Sequence, residues 1–233
     1  MPPCGFGNRL LYYYNLRQEA HKKGCDFFCV PWGGYSLFEG QAKLLGQYPP
    51  QQPYEIAQLA LGEQFFHYSD LSTREIFKLI DKPLVESNTC AIHFRGTDFH
   101  SWNPNAILDY EYYSNSVDQI KDSIVAFRLF TDDNNLESYK KIKNKLDNEG
   151  LIYTEGQNTH DRQYYIEDFA SMTECDHIIS SPSTFCICAG FIGNVKKIIH
   201  CKKWVMDRSE KNDKFWIDLL NGGNNNYSVW RFI

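Results

Sequence analysis

Residues 89–100 read TCAIHFRGTDFH, a short apolar run leading straight into His93, Arg95 and Asp98. A buried strand with that ending presents groups that can bind or move charge. An arginine at such a tip offers two parallel N–H donors to a phosphate or carboxylate. The same spacing equally suits a structural ion pair between Arg95 and Asp98. A second stretch, SSPSTF at 180–185, joins an apolar strand at 176–180 to an apolar helix. Ser183 or Thr184 caps that helix, and its first N–H groups then face the strand tips, where they attract an anion; an ordinary N-cap looks the same in sequence. A third stretch, CGFGN at 4–8, precedes the first helix. Gly5 and Gly7 permit a tight turn and close approach to a ligand, but no strand leads into them, and a plain turn also accounts for them. FTDD, residues 130–133, ends another strand. Its acids, Asp132 and Asp133, can read a ribose or base edge, or cap the helix that begins near Asn134.

Groups at strand tips need a sheet to hold the tips in line. From residue 89 the chain alternates: a helix near 110–122, AFRLFTDD as a strand, NLESYKKIKNKLDNEG as a helix closed by Gly150, LIYT as a strand, YYIEDFASMTEC as a helix, DHIISS as a strand, STFCICAGFIG as a helix and KKIIHC as a strand. That alternation predicts an α/β fold with a parallel sheet covered on both faces, whose ligands bind at the carboxyl ends of the strands. Upstream, RLLYYYNLRQEAHKKG at 9–24 predicts a helix with Leu10, Leu11, Tyr14 and Leu16 on its apolar stripe and Gly24 as C-cap. CDFFCVPW reads as a buried strand, 33–53 as a Gly-, Gln- and Pro-rich loop, and 72–80 as a helix opened by a capping box from Ser72 to Glu75. A boundary near 85–88 divides an N-terminal lobe, 1–88, from a sheet domain, 89–205; the polar segment 206–233, with NGGNNN inside it, reads as an appendage.

The 233 residues carry a net charge of −5, so there is no basic field of the kind duplex nucleic acid requires, and no nucleic-acid partner is expected. KKIKNK at 140–145 reads as a solvated helix face. The eight cysteines match no zinc spacing, and several sit in apolar runs. Reduced buried thiols are expected, with disulfides as the alternative. His21, His67, His100, His160, His177 and His200 show no ligand spacing, and no metal site is expected. No nucleophile-elbow motif occurs. No apolar run approaches the length of a membrane span, and no signal peptide is evident.

Taken in order and spacing, these stretches resemble the fucosyltransferase superfamily, which includes the α-1,2, α-1,6 and protein O-fucosyltransferases on a GT-B-type fold. CGFGNRL resembles its glycine-rich N-terminal motif, IHFRGTDF its His-x-Arg-Arg-x-Asp signature and FTDD its Thr/Ser-Asp-Asp element. EDFASMTECDHIISSPSTFCICAGFIG resembles the block that builds the donor site, and KKIIHCKKW is closest to the α-1,2 branch. The resemblance covers 4–24 and most of 89–204. It implies a GT-B-like protein with a Rossmann-type donor domain and a reduced N-terminal α/β lobe. It further implies inverting transfer of fucose from GDP-fucose to a glycan hydroxyl, with no metal and no cofactor beyond the donor. Carried over by position, Arg95 clamps the β-phosphate and His93 lies beside the nucleotide. Ser183, Thr184 and Phe185 hold the pyrophosphate and wall off the guanosine. Asp132 belongs to the donor site through its motif, and Asp168 reads the guanine edge. Asn8, with the Gly7 backbone, approaches the fucosyl end and the acceptor.

Breaking a sugar–phosphate bond builds negative charge on the leaving diphosphate, and fixed donors aimed at that charge lower the barrier. Losing one costs roughly 3–4 kcal/mol. The acceptor hydroxyl needs a base or another route for its proton. Asp98 is the first candidate, then His100, Asp109 and Glu111; Asp98 serves equally to hold Arg95. Where the signature usually carries two adjacent arginines, Gly96 takes the second place. That substitution, with the short N-terminal lobe, leaves room for two other readings: an idle nucleotide-sugar or glycan-binding protein, or a transferase using another nucleotide sugar. Nothing in the sequence indicates Golgi anchoring, so a soluble cytoplasmic enzyme of microbial or viral origin is expected.

Overall fold

The N-terminal apolar stripe forms helix α1 (Phe6–Lys22), with Leu10, Leu11, Tyr12, Tyr13 and Tyr14 buried. The computed structural model describes residues 5–24, 26–27, 29, 31–40, 73–158, 165–193, 195–211, 216–217 and 230–233. They fall in two compact units, Met1–Asp81 and Lys82–Ile233. In the first, α1 starts earlier than its sequence suggests. Gly5 is the N-cap, and Gly7 and Asn8 lie inside the first helical turn rather than in a loop before it. The anchor is aromatic: Phe6 stacks on Trp32 at 5.9 Å and Tyr13 on the same ring at 5.0 Å. Apolar packing thus extends the helix back to Phe6. At the other end Gly24 adopts φ +63°, the left-handed C-terminal conformation expected of it.

The strand expected over 25–32 does not form at the described residues of that stretch. Trp32 and Phe27 instead pack as rings on Tyr13. The helix expected over 72–80 is the short α2 (Thr73–Ile76), and Leu79 then makes an antiparallel bridge to Phe38. Ser72, Cys4, Cys25, His67, His160, residues 41–53 of the expected loop and the NGGNNN segment lie outside the described residues.

The second unit is built on a six-stranded sheet: β1 (Thr89–Phe94), β2 (Ala126–Thr131), β3 (Tyr153–Glu155), β4 (His177–Ile179), β5 (Lys197–His200) and β6 (Trp230–Phe232). All neighbours are parallel and the order is β3-β2-β1-β4-β5-β6. The central strand β1 is buried along its whole length, as a strand covered on both faces must be. Its pleat sends Cys90, Ile92 and Phe94 into one core with Phe127 and Leu129 of β2. Helices α4 (Tyr110–Asp118) and α5 (Glu137–Asn148) cover that face through Tyr113, Val117, Ile142 and Leu146. Between β1 and α4 run a single-turn helix, α3 (Phe99–Trp102), and a 3-10 turn, Pro104–Ala106. Gly150 closes α5 at φ +65°. Helices α6 (Tyr165–Thr173) and α7 (Thr184–Ile192) pack on the opposite face. A Cβ at Gly190 of α7 would lie 2.5 Å from the terminal Cδ1 of Ile198 on β5, so the glycine leaves that methyl its room between helix and sheet.

The chain's end corrects the expected appendage over 206–233. Helix α8 (Lys202–Ser209) leads away from β5, and Trp230–Phe232 returns as β6, pairing Ile198 with Trp230 and His200 with Phe232. Trp230 is buried, with its ring 5.7 Å from Phe191 and 5.5 Å from His200. Burial of Trp230, with Phe232 partly buried beside it, is what recruits this short segment to the sheet. Among the described cysteines, Cys90, Cys175, Cys186 and Cys201 are free thiols. Burial pushes the thiols of Cys90 and Cys188 well up, and those of Cys175 and Cys186 to about 12 and about 11, as small core hydrophobes require.

Candidate active site

In the order β3-β2-β1-β4-β5-β6 the connections reverse direction between β1 and β4. The chain leaving β1 passes to α4 on one face, while the chain leaving β4 passes to α7 on the other. Their carboxyl ends therefore bound the crevice where sheets of this kind bind ligands. HFRGTD leaves β1 at that point and SSPSTF leaves β4 beside it, so two of the sequence motifs meet across the switch point.

His93, in the last turn of the β1 pleat, spans it. Its Nδ1 lies 2.7 Å from Ser181 Oγ, its ring stacks on Phe185 at 5.6 Å, and its carbonyl accepts from Tyr113 OH at 3.2 Å. Burial, helped by the Arg95 charge and opposed by Asp132, pushes His93 down to about 4. One strand over, Ser180 Oγ meets the Nδ1 of buried His200, which burial pushes down to about 3. Tyr112 OH donates to the Ser180 carbonyl at 2.8 Å. The Ser180–Ser181 turn is thus pinned from both neighbouring strands by neutral imidazoles. These pins have a pH signature. The unfolded chain protonates both histidines near 6.5 while the folded chain does not, so it binds more protons as pH falls below that value. Stability is expected to be full above about pH 7. It should decline as pH drops from about 6.5 toward 4, by up to about 1.4 kcal/mol per pH unit for each histidine. Thermal denaturation at about pH 7.5 and pH 5 checks this; equal melting temperatures would contradict it.

Arg95 is held on two sides. Nη1 donates to Asp132 and Nη2 to Asp98 Oδ1 at 2.5 Å, while the guanidinium lies 5.0 Å over the Phe99 ring. The structural pair with Asp98 therefore forms, and Asp132 adds a second anchor. A guanidinium carries about five N–H donors, so two anchors leave others for a ligand, and the side chain remains 27 % exposed. Asp132 also accepts from the Gly96 N–H at 2.7 Å and from Thr97 Oγ1 at 2.7 Å. Thr97 takes φ +29°, a backbone conformation that β-branched residues rarely adopt. The bond from its own hydroxyl to Asp132 helps hold it there.

Neither aspartate of FTDD caps α5, whose N-cap is Leu136. Asp132 organises the HFRGTD loop. Asp133 folds the chain ahead of the helix, its Oδ1 accepting from Asn135 N–H at 2.9 Å, and its Oδ2 lies 3.3 Å from His100 Nε2. Gly96 sits against it: a Cβ there would be 2.7 Å from Asp133 Cβ. Of the other acids considered for proton transfer, Asp109 is the N-cap of α4, accepting from Tyr112 N–H, and Glu111 is exposed in the same helix's first turn.

Ser183 is the cap of α7, its Oγ accepting from Phe185 N–H at 3.3 Å. Thr184 is the first helical residue and Phe185 the second, both partly buried, with Phe185 also 5.2 Å from Phe169. Only four residues, Ser180–Ser183, separate β4 from α7, so the positive end of the helix is delivered to the carboxyl end of the sheet. Asp168, near the start of α6, is buried and braces the loop after β3. Its oxygens accept from Gln157 N–H at 2.8 Å and Asn158 N–H at 3.3 Å. Burial pushes its carboxyl up, against the pull of those N–H groups. Asn158 in turn accepts from Thr131 N–H at 2.9 Å, tying that loop to the end of β2. Beyond it a cleft of about 500 Å³ is lined by Asn134, Tyr139, Lys143, Glu155 and Asn158, among others. Gly7 and Asn8 belong to the other compact unit, where Gly7 is buried and Asn8 partly buried in α1. Ser181, Thr97 and Asn158 were not singled out by sequence: each acts through a backbone or through-space bond that spacing does not reveal.

Among the described residues, no three His, Cys, Asp or Glu side chains cluster as a metal would require, and no helix is long and apolar enough to cross a membrane. No curated protein matches the chain. The family model described as Glycosyl transferase family 11 does match, over residues 33–218. That span takes in β1 to β5 with the Arg95 loop and the α7 N-terminus, and begins after the CGFGN motif. Covering well over half of the sequence, and agreeing with the parallel, Rossmann-like sheet, it establishes that this chain belongs to glycosyl transferase family 11, the α-1,2-fucosyltransferase family, and is a glycosyltransferase of nucleotide-sugar donors and glycan acceptors.

Proposed function

We propose that the chain transfers fucose from GDP-fucose to a glycan hydroxyl, with inversion at the anomeric carbon and without a metal ion. One observation carries the reading. Arg95 and the N-terminus of α7 stand at the carboxyl ends of β1 and β4, the two strands that flank the topological switch point. Charge that develops on a departing diphosphate in that crevice meets a guanidinium from one strand and a helix pole from the next. Asp132 and Asp98 fix the guanidinium beforehand, so little reorganisation is needed as the bond breaks. His93, neutral and stacked on Phe185, is suited to lie along a nucleotide rather than to carry charge. Asp168 remains the proposed reader of the guanine edge, from the loop it already organises.

Thermal-shift titration with GDP, UDP and ADP, followed by a GDP-release assay with GDP-fucose and a panel of methyl glycosides, tests the proposal. GDP is expected to stabilise the fold most, and release of GDP to depend on acceptor and persist in EDTA. Preference for another nucleotide would favour a different donor. GDP binding without turnover would favour an idle binding protein, and loss of turnover in EDTA would contradict the metal-free mechanism.

A further inference from the structure

We infer that His100, oriented by Asp133, is the general base that takes the proton of the acceptor hydroxyl; this rests on the transfer reaction proposed above. The two aspartates of FTDD divide the work: Asp132 anchors Arg95, and its neighbour Asp133 holds His100. The group that grips the leaving diphosphate and the group that receives the proton are thereby fixed by consecutive residues at the end of one strand.

The tautomer follows from the contact. Nε2–H donates to Asp133 Oδ2, so the lone pair lies on Nδ1. No described residue hydrogen-bonds that nitrogen, and the side chain is 57 % exposed. Asp133 is itself 19 % exposed and is oriented through Asn135 N–H, which leaves a shielded carboxylate behind a solvent-facing imidazole. A carboxylate placed so steadies both the tautomer and the imidazolium that forms. The other acids are engaged elsewhere: Asp98 by the Arg95 guanidinium and Asp109 by the first turn of α4.

Gly96 completes the arrangement. Any Cβ at 96 would stand 2.7 Å from Asp133 Cβ and 2.9 Å from its Oδ2, the oxygen that faces His100. The missing side chain at the second arginine place of the signature is what lets Asp133 occupy its position. In the step itself, the acceptor oxygen forms its bond to the anomeric carbon as the bond from that carbon to the diphosphate oxygen breaks. The electron pair of the broken bond leaves on the diphosphate, and the acceptor proton passes to His100 Nδ1, from which water removes it after turnover.

The test compares the intact wild-type chain with His100→Ala and His100→Gln for turnover of GDP-fucose with the best methyl glycoside, GDP affinity, and rescue by added imidazole. Both variants are expected to lose about 100-fold or more in kcat with GDP affinity within about twofold, and imidazole should restore part of the His100→Ala activity. Near-normal kcat in either variant overturns the assignment. So does a loss of kcat that follows a loss of GDP affinity, or one that imidazole leaves untouched. A wild-type chain that releases no GDP overturns the transfer reaction and the base together, an outcome separate from failure of the variants alone.

Discussion

Arg95→Ala is expected to lower kcat/KM for sugar transfer by about 100- to 1,000-fold, the size of effect seen when one preorganised donor to a developing oxyanion is removed, while leaving the chain folded. The fold should survive because the groups Arg95 leaves behind are not stranded. Asp98 is 61 % exposed and returns to water, and Asp132 keeps the Gly96 N–H and Thr97 Oγ1. The aromatic face of Phe99 loses the guanidinium above it, which costs on the order of 1 kcal/mol at most. Arg95→Lys should recover only part of the loss, since one ammonium cannot serve Asp132, Asp98 and a phosphate in the geometry of a planar fork. Steady-state kinetics with thermal denaturation on the same samples check this. Near-normal transfer by the alanine variant would remove Arg95 from the mechanism, and a collapsed fold would make its role structural.

Gly96→Arg should also abolish most transfer, even though it rebuilds the paired arginines of the family signature. Space at Gly96 is already taken by Asp133, whose Cβ and Cγ would lie 2.7 and 3.3 Å from the new Cβ. These are not the loose end of a long side chain. Either Asp133 moves and releases His100, or the loop moves and breaks the 2.7 Å bond from Gly96 N–H to Asp132, and with it the Arg95 anchor. Overpacking of this kind costs about 1–3 kcal/mol in stability. The functional loss should be larger, roughly 10- to 1,000-fold in kcat, because each displacement also removes an orienting contact. Gly96→Ala should show the same direction with smaller size. Increased transfer by Gly96→Arg would mean that the loop opens easily and that glycine here is a deficiency.

The sheet was legible because its central strands are largely buried: TCAIHF is apolar or small up to His93, AFRLFT and KIIH carry short runs rich in Phe, Leu and Ile, and each is followed by an amphipathic or capped segment. The strand β6 was not, since three residues of alternating aromatic and charged type carry too little signal to stand out from a polar tail; only packing against His200 and Phe191 gives Trp230 its place. CDFFCVPW misled for the converse reason, its described rings Phe27 and Trp32 serving an aromatic cluster with Tyr13 rather than a ladder. At the site, His93, Arg95 and Ser183 were legible from their places at the ends of strand-like runs. The pairing of Asp132 with Arg95, 37 residues away in sequence, and of Asp133 with His100 was not. Both depend on β1 and β2 being parallel neighbours in register from Thr89 and Ala126 to Phe94 and Thr131, which brings two loops together that the chain keeps apart.

The most direct measurement is a crystal structure of the chain with GDP bound. The β-phosphate is expected within hydrogen-bond distance of the Arg95 guanidinium and of N–H groups in the first turn of α7, with the nucleotide running past His93 and Phe185. A diphosphate seated elsewhere, such as the cleft by Tyr139 and Lys143, with Arg95 still closed on its two aspartates and no ligand contact to α7, would contradict the account.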